Sequence, residues 1–137
     1  MSASKSTAQP SLWEAVKFNE QGLVPAVIQD AATGRVLTLC YMNREALERS
    51  LAERKVYVFR RSRNRLMLKG ETSGHVQRIK RVSVDCEGKS LLIEIAQRVA
   101  CCHAGYFSCY YRRRMPSGSL RVVDRKMFDP ESVYKAR

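Results

Sequence analysis

The chain has 137 residues and a formal net charge of +12, and 45% of its residues are hydrophobic. This length suits one compact domain and excludes a two-domain enzyme, and the composition excludes a disordered or collagen-like chain. No apolar run approaches the roughly 20 residues of a membrane span. We predict a cytoplasmic protein without membrane association, since residues 1–11 are polar and lack the apolar segment of a signal peptide. In that compartment the five cysteines are expected to be reduced thiols that pack or bind metal.

The first predicted elements follow a disordered leader at residues 1–11, a stretch rich in Ser, Thr and Ala. Runs at 23–29 and 35–41 favour strands, and the turn that ends at Gly34 predicts a β-hairpin between them. Because proline cannot donate to a sheet ladder, Pro25 predicts that the first strand lies at an edge.

A helix is predicted over 44–54, with Asn43 as its N-cap. One face of this helix carries Ala46, Leu47, Ser50 and Leu51. Five further runs are expected to be strands, at 56–60, 66–69, 76–85, 90–97 and 106–112. The pattern predicts an α+β fold, a single sheet-rich domain over 12–114 with one main helix. A basic C-terminal extension over 115–137, interrupted by Pro116 and Gly118, completes the chain.

Positive charge is concentrated between Arg54 and Arg81, where ten basic residues stand against one acid, Glu71. Such a run indicates an anionic partner. Nucleic acid would satisfy it through many phosphate contacts, and so would a small ligand with two phosphates if only some of these side chains converge. The alternative for most of the ten is a solvated face that serves solubility.

Three cysteines could hold a zinc ion: Cys86, Cys102 and Cys109. Catalytic zinc has three protein ligands and keeps a fourth position for water. The spacing lacks the paired Cys-x-x-Cys of structural zinc sites, so buried core thiols remain the alternative reading. Cys40 lies in an apolar run and is expected in the core, whereas Cys101 could be either.

Two histidines and one loop add possible chemistry. His103 follows Cys102 on a glycine-containing segment, where a group that titrates near neutral pH could act as acid or base beside a metal. The loop at 69–74 offers a lysine, two hydroxyls and glycine amides, which suit a phosphate, and His75 follows it directly. A simple turn and a surface histidine are the alternatives.

Several motifs together resemble one family, the phosphoribosyl-AMP cyclohydrolases of histidine biosynthesis. The resemblance runs from about residue 17 to 112 in consistent order. Its motifs are Gly22-Leu23-Val24-Pro25-Ala26, Gln29-Asp30, Tyr41-Met42-Asn43, Arg61-Ser62-Arg63, Lys69-Gly70-Glu71-Thr72-Ser73-Gly74, Asp85-Cys86, Cys102-His103 and Ser108-Cys109.

The resemblance implies a zinc-dependent hydrolase that opens the adenine ring of N1-(5-phosphoribosyl)-AMP between N1 and C6. It also implies an intertwined homodimer in which Cys86, Cys102 and Cys109 bind zinc from both chains, with His103 as the catalytic proton donor. The substrate is a nucleotide with two monophosphates. Its expected binding residues are Arg61, Arg63, Lys69, Glu71, Thr72, Ser73 and His75.

One departure from the family concerns magnesium. The family usually has Asp-Cys-Asp-Gly-Asp, whose carboxylates bind magnesium, whereas this chain reads Asp85-Cys86-Glu87-Gly88-Lys89. Exchanging a carboxylate for an ammonium changes the local charge by two units, so magnesium binding by Asp85 and Glu87 is placed in question. Two smaller departures accompany it. The family's His-Thr-Gly is replaced by His103-Ala104-Gly105, and Met67 stands where the family often has an aromatic residue after Arg-Ser-Arg.

Three functional hypotheses follow. In the first, the chain is a working cyclohydrolase in which the Lys89 ammonium takes over the catalytic electrostatic role of magnesium. In the second, it is a paralogue with the same zinc core and another purine nucleotide as substrate. The third is a basic nucleic-acid-binding module with a structural zinc. It is disfavoured because the aromatic residues do not interleave with the arginine run.

Overall fold

A computed structural model describes residues 9–70, 75–96, 102 and 104–131. In chain order the elements are α1 (Leu12–Ala15), β1 (Val24–Asp30), β2 (Val36–Met42), α2 (Arg44–Glu53), β3 (Tyr57–Arg60), β4 (Arg65–Leu68), β5 (Arg78–Val84), β6 (Leu91–Ala96), β7 (Arg112–Arg114) and β8 (Leu120–Val122). The predicted α+β domain, rich in sheet and with one main helix, is confirmed. No helix in the described part of the chain has the length and apolar character needed to cross a bilayer.

The main sheet has four strands in the order β2-β1-β6-β5. Strands β1 and β2 form the predicted antiparallel hairpin, and Asp30 shapes its turn by accepting hydrogen bonds from the backbone N–H and the hydroxyl of Thr33. The edge position predicted from Pro25 is wrong, because β1 lies between β2 and β6. The parallel ladder with β6 begins at Ala26, one residue after the proline, so Pro25 precedes the positions that the ladder occupies.

The core is built from alternate residues of the two central strands. Along β1 and β6 every second side chain is buried, as expected for strands with one face against a core. Helix α2 covers this core with Ala46 and Leu47. It begins where predicted, because the Asn43 side chain accepts a hydrogen bond of 2.8 Å from the Ala46 N–H.

Two small hairpins flank the main sheet. Strands β3 and β4 pair around a turn at residues 61–64, in which Asn64 has a positive φ of 48°. Strands β7 and β8 pair in the C-terminal part of the chain. They lie on opposite sides of the predicted domain boundary between residues 114 and 115.

The strand predicted at 106–112 is wrong. Residues 106–111 are irregular, and β7 begins only at Arg112. The segment is held on β2 by individual contacts instead of a ladder. The Ser108 hydroxyl donates to the carbonyl of Val36 at 2.8 Å, and the N–H of Cys109 donates to the carbonyl of Leu37 at 2.7 Å. The segment therefore docks against a strand without being one.

Candidate active site

A cleft of about 420 Å³ opens between β2 and the β3–β4 hairpin. Its lining residues are Thr38, Leu39, Cys40 and Tyr41 of β2, Val58, Phe59, Arg60, Arg61 and Ser62 of β3 and the turn that follows, and Lys69 and Cys109. These described lining residues include three cations and no carboxylate. The cleft is therefore electropositive, and it is large enough for a nucleotide-sized ligand.

Two of the predicted phosphate-binding residues reach this cleft. Arg61 begins the turn after β3, and its guanidinium carbon lies 4.6 Å from the centroid of the Tyr41 ring. Lys69 follows β4, where its N–H donates to the carbonyl of Val56 at 2.8 Å. Arg63 lies in the same turn as Arg61, but it is not among the residues that line the cleft. The geometry thus unites Arg61 and Lys69 across one opening.

Cys102 and Cys109 form a thiol pair beside the cleft. A hydrogen bond joins their side chains, and burial, followed by the contacts with Cys109, raises the pKa of Cys102. The N–H of Ala104 also donates to the Cys102 sulfur at 3.4 Å, which favours the thiolate. Of the three cysteines predicted to bind metal, the structure brings these two together.

Cys40 is a third thiol in the wall of the cleft. Burial raises its pKa to about 12, and the positive charge of Lys69 only partly opposes this effect. At neutral pH Cys40 therefore keeps its proton. It is half-buried and packs against the core from the wall of the cleft, whereas the sequence predicted a position inside the core.

The C-terminal segment supports the loop that carries the thiol pair. The N–H of Met127 donates to the carbonyl of Gly105 at 2.6 Å, and the N–H of Val123 donates to the carbonyl of Tyr111 at 2.9 Å. Gly105 has a φ of +98°, and a Cβ there would collide with the carbonyl of Phe128. The predicted extension is thus packed against the candidate site.

Cys86 lies on a separate, exposed turn after β5. Asp85 organises this turn. Its Oδ1 accepts from the N–H groups of Glu87 at 3.0 Å and Lys89 at 2.9 Å, and its Oδ2 accepts from the Ser90 hydroxyl at 2.7 Å. The bond from Ser90 and those from the backbone lower the pKa of the Asp85 carboxyl. The Lys89 ammonium lies 4.0 Å from the Glu87 carboxylate.

His75 and Gly70 mark the two ends of the predicted phosphate loop. The His75 ring packs edge-on against Phe128, with centroids 4.9 Å apart. Gly70 approaches the His75 backbone so closely that a Cβ would collide with its carbonyl, which brings the loop ends together. The predicted residues Glu71, Thr72, Ser73, Cys101 and His103 lie outside the described part of the chain.

Comparison with known proteins identifies the family. The family model for phosphoribosyl-AMP cyclohydrolase matches residues 38–111, which include the whole lining of the cleft. The chain belongs to the phosphoribosyl-AMP cyclohydrolase family. It is 52% identical over 124 residues to the phosphoribosyl-AMP cyclohydrolase of Pelotomaculum thermopropionicum, covering 90% of this chain and 96% of that protein. It is 47% identical to the phosphoribosyl-AMP cyclohydrolase of Chlorobaculum tepidum, with 92% of each chain covered.

This membership confirms the predicted recognition and the predicted enzyme class, a cyclohydrolase of histidine biosynthesis. The zinc ion, the magnesium ion, the homodimer and the roles of single residues stay predictions.

The described part of the cyclohydrolase chain does not contain a complete three-ligand zinc site. Within it, no group of three His, Cys, Asp or Glu side chains is placed to hold a metal ion. The Cys102 and Cys109 pair has donor chemistry suited to zinc, since thiolates at close range are its usual ligands. The described residues place no third donor beside this pair, and Cys86 lies on its separate, exposed turn.

The cyclohydrolase turn does not fit a magnesium ion. A carboxylate offers about four lone-pair positions, and three of those on Asp85 are taken by Glu87, Lys89 and Ser90. Lys89 stands where the family has a carboxylate, and its ammonium lies near Glu87. Mg²⁺ requires clustered oxygen ligands in near-octahedral geometry, and this turn offers few free oxygens beside a cation.

Sequence reasoning missed two cyclohydrolase residues that shape the cleft. Tyr41 appeared only as part of a family motif, although its ring stacks on Arg61. Ser108 appeared only next to Cys109, although its fully buried hydroxyl fixes the segment that carries this cysteine. Both act through partners far along the chain, so no local pattern could have assigned them a role.

Proposed function

We propose that the chain hydrolyses N1-(5-phosphoribosyl)-AMP, opening its adenine ring at the N1–C6 bond, in the cytoplasm. The observation that carries this proposal is the single cleft that unites Arg61 and Lys69 with Cys109. The two cations, Arg61 and Lys69, suit the phosphates of this substrate. Cys109 belongs to the thiol pair, so the proposed site of hydrolysis adjoins the same cleft.

We propose a zinc ion held by Cys102 and Cys109 of one chain and by Cys86 of a second copy, within a homodimer. Two features support this: the paired thiols of Cys102 and Cys109, and the exposure of Cys86 on a turn fixed by Asp85. When bound, such an ion makes a hydrolytic nucleophile available near neutral pH by lowering the pKa of water. The fully buried Ser108 would keep Cys109 in place during this chemistry.

The remaining residues bind substrate or handle protons. The Arg61 guanidinium can grip a phosphate with two parallel hydrogen bonds, and the Lys69 ammonium adds a point charge from the other side. Cys40 keeps its proton at neutral pH and so does not compete with the thiol pair for metal. His103, which follows Cys102 in sequence, is proposed to protonate the departing nitrogen.

We further propose that Lys89 supplies the positive charge that magnesium gives other family members. The Asp85 carboxylate is already used by the turn, and the Lys89 ammonium lies on the same turn near Glu87. The same departure favours the second candidate function, a paralogue that acts on another purine nucleotide.

Turnover of phosphoribosyl-AMP tests the proposed activity. The purified, zinc-loaded protein is incubated with this substrate, and the ring-opened product is followed by absorbance, with AMP and other purine nucleotides in parallel. Turnover of phosphoribosyl-AMP alone supports the proposal. Turnover of another purine nucleotide instead supports the paralogue, and salt-dependent RNA binding without any turnover supports the nucleic-acid module.

Subunit mixing tests the shared zinc site. Cys86→Ser and Cys109→Ser are each expected to be inactive and to lose zinc, whereas Cys40→Ser retains both zinc and activity. Mixing the two inactive variants and allowing the subunits to exchange should restore about a quarter of the wild-type activity, since half of the dimers then carry one intact site. No recovery in verified mixed dimers would show that the ligands come from one chain.

A further inference from the structure

Among the described residues, three arginine side chains lie over the ring of an aromatic residue that is not their neighbour in sequence, and two of these arginines also form an ion pair with a carboxylate. Arg49 stacks on Tyr57 and pairs with Glu53 at 3.0 Å. Arg44 lies over the ring of Trp13, 4.7 Å from its centroid, and pairs with Glu48. In both cases the stacked arginine already has an anionic partner within the fold.

Arg61 differs from both. Its guanidinium carbon lies 4.6 Å from the Tyr41 ring centroid, but no described carboxylate forms an ion pair with it. Both residues line the cleft, together with Lys69. The aromatic ring therefore orders the Arg61 side chain, and the guanidinium stays available to bind an anion in the electropositive cleft.

Stacking and anion binding use different parts of a guanidinium. The π face of the group lies against the ring, whereas its five N–H donors point outward in the plane of the group. An arginine held by an aromatic face can therefore still bind a phosphate with two parallel hydrogen bonds. Without the ring, the long arginine side chain in an exposed turn would lose rotamer freedom when it binds a phosphate. Because the ring already restricts the side chain, the entropy cost of binding is smaller.

We infer that Tyr41 is a positioning residue that orders the Arg61 guanidinium to bind a phosphate of the substrate. Tyr41 acts through its ring, and its hydroxyl is not required. The inference rests on the proposed function for the identity of the substrate, but the pair itself is a site for any nucleoside monophosphate that enters the cleft.

The ring and the hydroxyl are separated by two substitutions. Tyr41→Phe keeps the stacked ring and should leave KM for phosphoribosyl-AMP within about twofold of wild type, whereas Tyr41→Leu should raise KM about three- to tenfold. The kcat at saturating substrate should change little in either variant, because the interaction is with a phosphate remote from the reacting carbon. Trp13→Leu, which removes the ring beneath Arg44, is the matched control and should leave KM unchanged.

A double-mutant cycle tests whether Tyr41 acts through Arg61. In the Arg61→Ala background, Tyr41→Leu should cause no further rise in KM, because the group it positions is gone. An equal rise in KM in both backgrounds would overturn the inference, and so would a Tyr41→Phe defect as large as that of Tyr41→Leu. Circular dichroism of each variant shows whether the fold is retained, and Arg61→Lys provides a milder second variant.

Binding of AMP, measured by calorimetry, separates this inference from the proposed activity. If the wild-type protein binds AMP but does not turn over phosphoribosyl-AMP, the proposed function fails while the same cycle on the AMP Kd still tests the pair. Coupling between Tyr41 and Arg61 in that Kd supports the inference. Independent, additive effects on the Kd refute it, whatever the enzyme proves to hydrolyse.

Discussion

Ser108→Ala removes one oxygen atom from a fully buried position and should both destabilise the fold and loosen the site. The Ser108 hydroxyl donates to the carbonyl of Val36 at 2.8 Å and accepts from the N–H of Tyr110 at 2.9 Å. Alanine leaves both of these backbone groups without that partner. The two partners belong to half-exposed residues, so water replaces part of the loss, and we expect a decrease of about 1 to 2 kcal/mol in the free energy of unfolding.

Urea denaturation at a fixed protein concentration measures this loss. With an m-value of about 2 kcal/mol/M, a destabilisation of about 2 kcal/mol lowers the midpoint by about 1 M. Ser117→Ala is the matched control, because Ser117 is exposed in the turn between β7 and β8 and its hydroxyl bonds only to the hydroxyl and the N–H of Ser119 among the described residues. The free energy of unfolding of this control should stay within about 0.5 kcal/mol of wild type.

The same variant should weaken zinc retention without removing a ligand. Cys109 follows Ser108 directly, and its N–H to Leu37 bond depends on the same docking of the segment onto β2. Ser108→Ala is therefore expected to release zinc to a chelator faster than wild type, whereas Cys109→Ser should fail to bind it. A Ser108→Ala protein with the wild-type urea midpoint would show that this hydroxyl does not hold the segment, and the reasoning would be wrong.

Three further predictions concern thiols and charge. In the metal-free protein, iodoacetamide at pH 8 should modify the exposed Cys86 rapidly and leave Cys40 unmodified, because a pKa raised to about 12 keeps the Cys40 thiol protonated. Peptide mass spectrometry measures the labelling of each cysteine, and early labelling of Cys40 would contradict the prediction. Wild-type turnover should be independent of added Mg²⁺. The Lys89→Asp variant should bind Mn²⁺, a paramagnetic substitute for Mg²⁺, more tightly than wild type in an electron paramagnetic resonance titration. A wild-type requirement for Mg²⁺ that Lys89→Asp leaves unchanged would mean that Lys89 merely faces solvent. Lys69→Ala should raise KM about tenfold or more and weaken its dependence on salt, and unchanged kinetics would assign Lys69 to the solvated surface.

Elements with local signals were predictable from the sequence. Helix α2 has an N-cap at Asn43 and a repeating apolar face, and both lie within a few residues of the helix they specify. The β1–β2 hairpin likewise follows from a turn closed by Gly34 between two β-favouring runs. Four of the five later strand predictions correspond to β3, β4, β5 and β6 with small shifts at their ends.

Features that depend on distant partners were not predictable in this way. The missing N–H of Pro25 is a local property and predicted an edge strand. The residue at which β6 begins to pair with β1 depends on the whole fold, and it lies just after the proline. The segment after Tyr106 is rich in aromatic residues that favour strands, but Ser108 and Cys109 use their hydrogen bonds to dock on β2 instead. The thiol pair is likewise a product of the folded loop, since the cysteine spacing alone left zinc ligands and buried core thiols as alternatives.

The parallel pairing of β1 with β6 has a consequence during synthesis. Strand β1 leaves the ribosome long before β6, and at about 5 to 20 residues per second the interval between Met42 and Leu91 lasts several seconds. During that time the apolar face of the β1–β2 hairpin lacks the strand that completes its sheet. The intervening chain carries the whole basic run between Arg54 and Arg81. Its like charges repel neighbouring nascent chains, so the cations that later line the electropositive cleft also oppose aggregation before the sheet is complete.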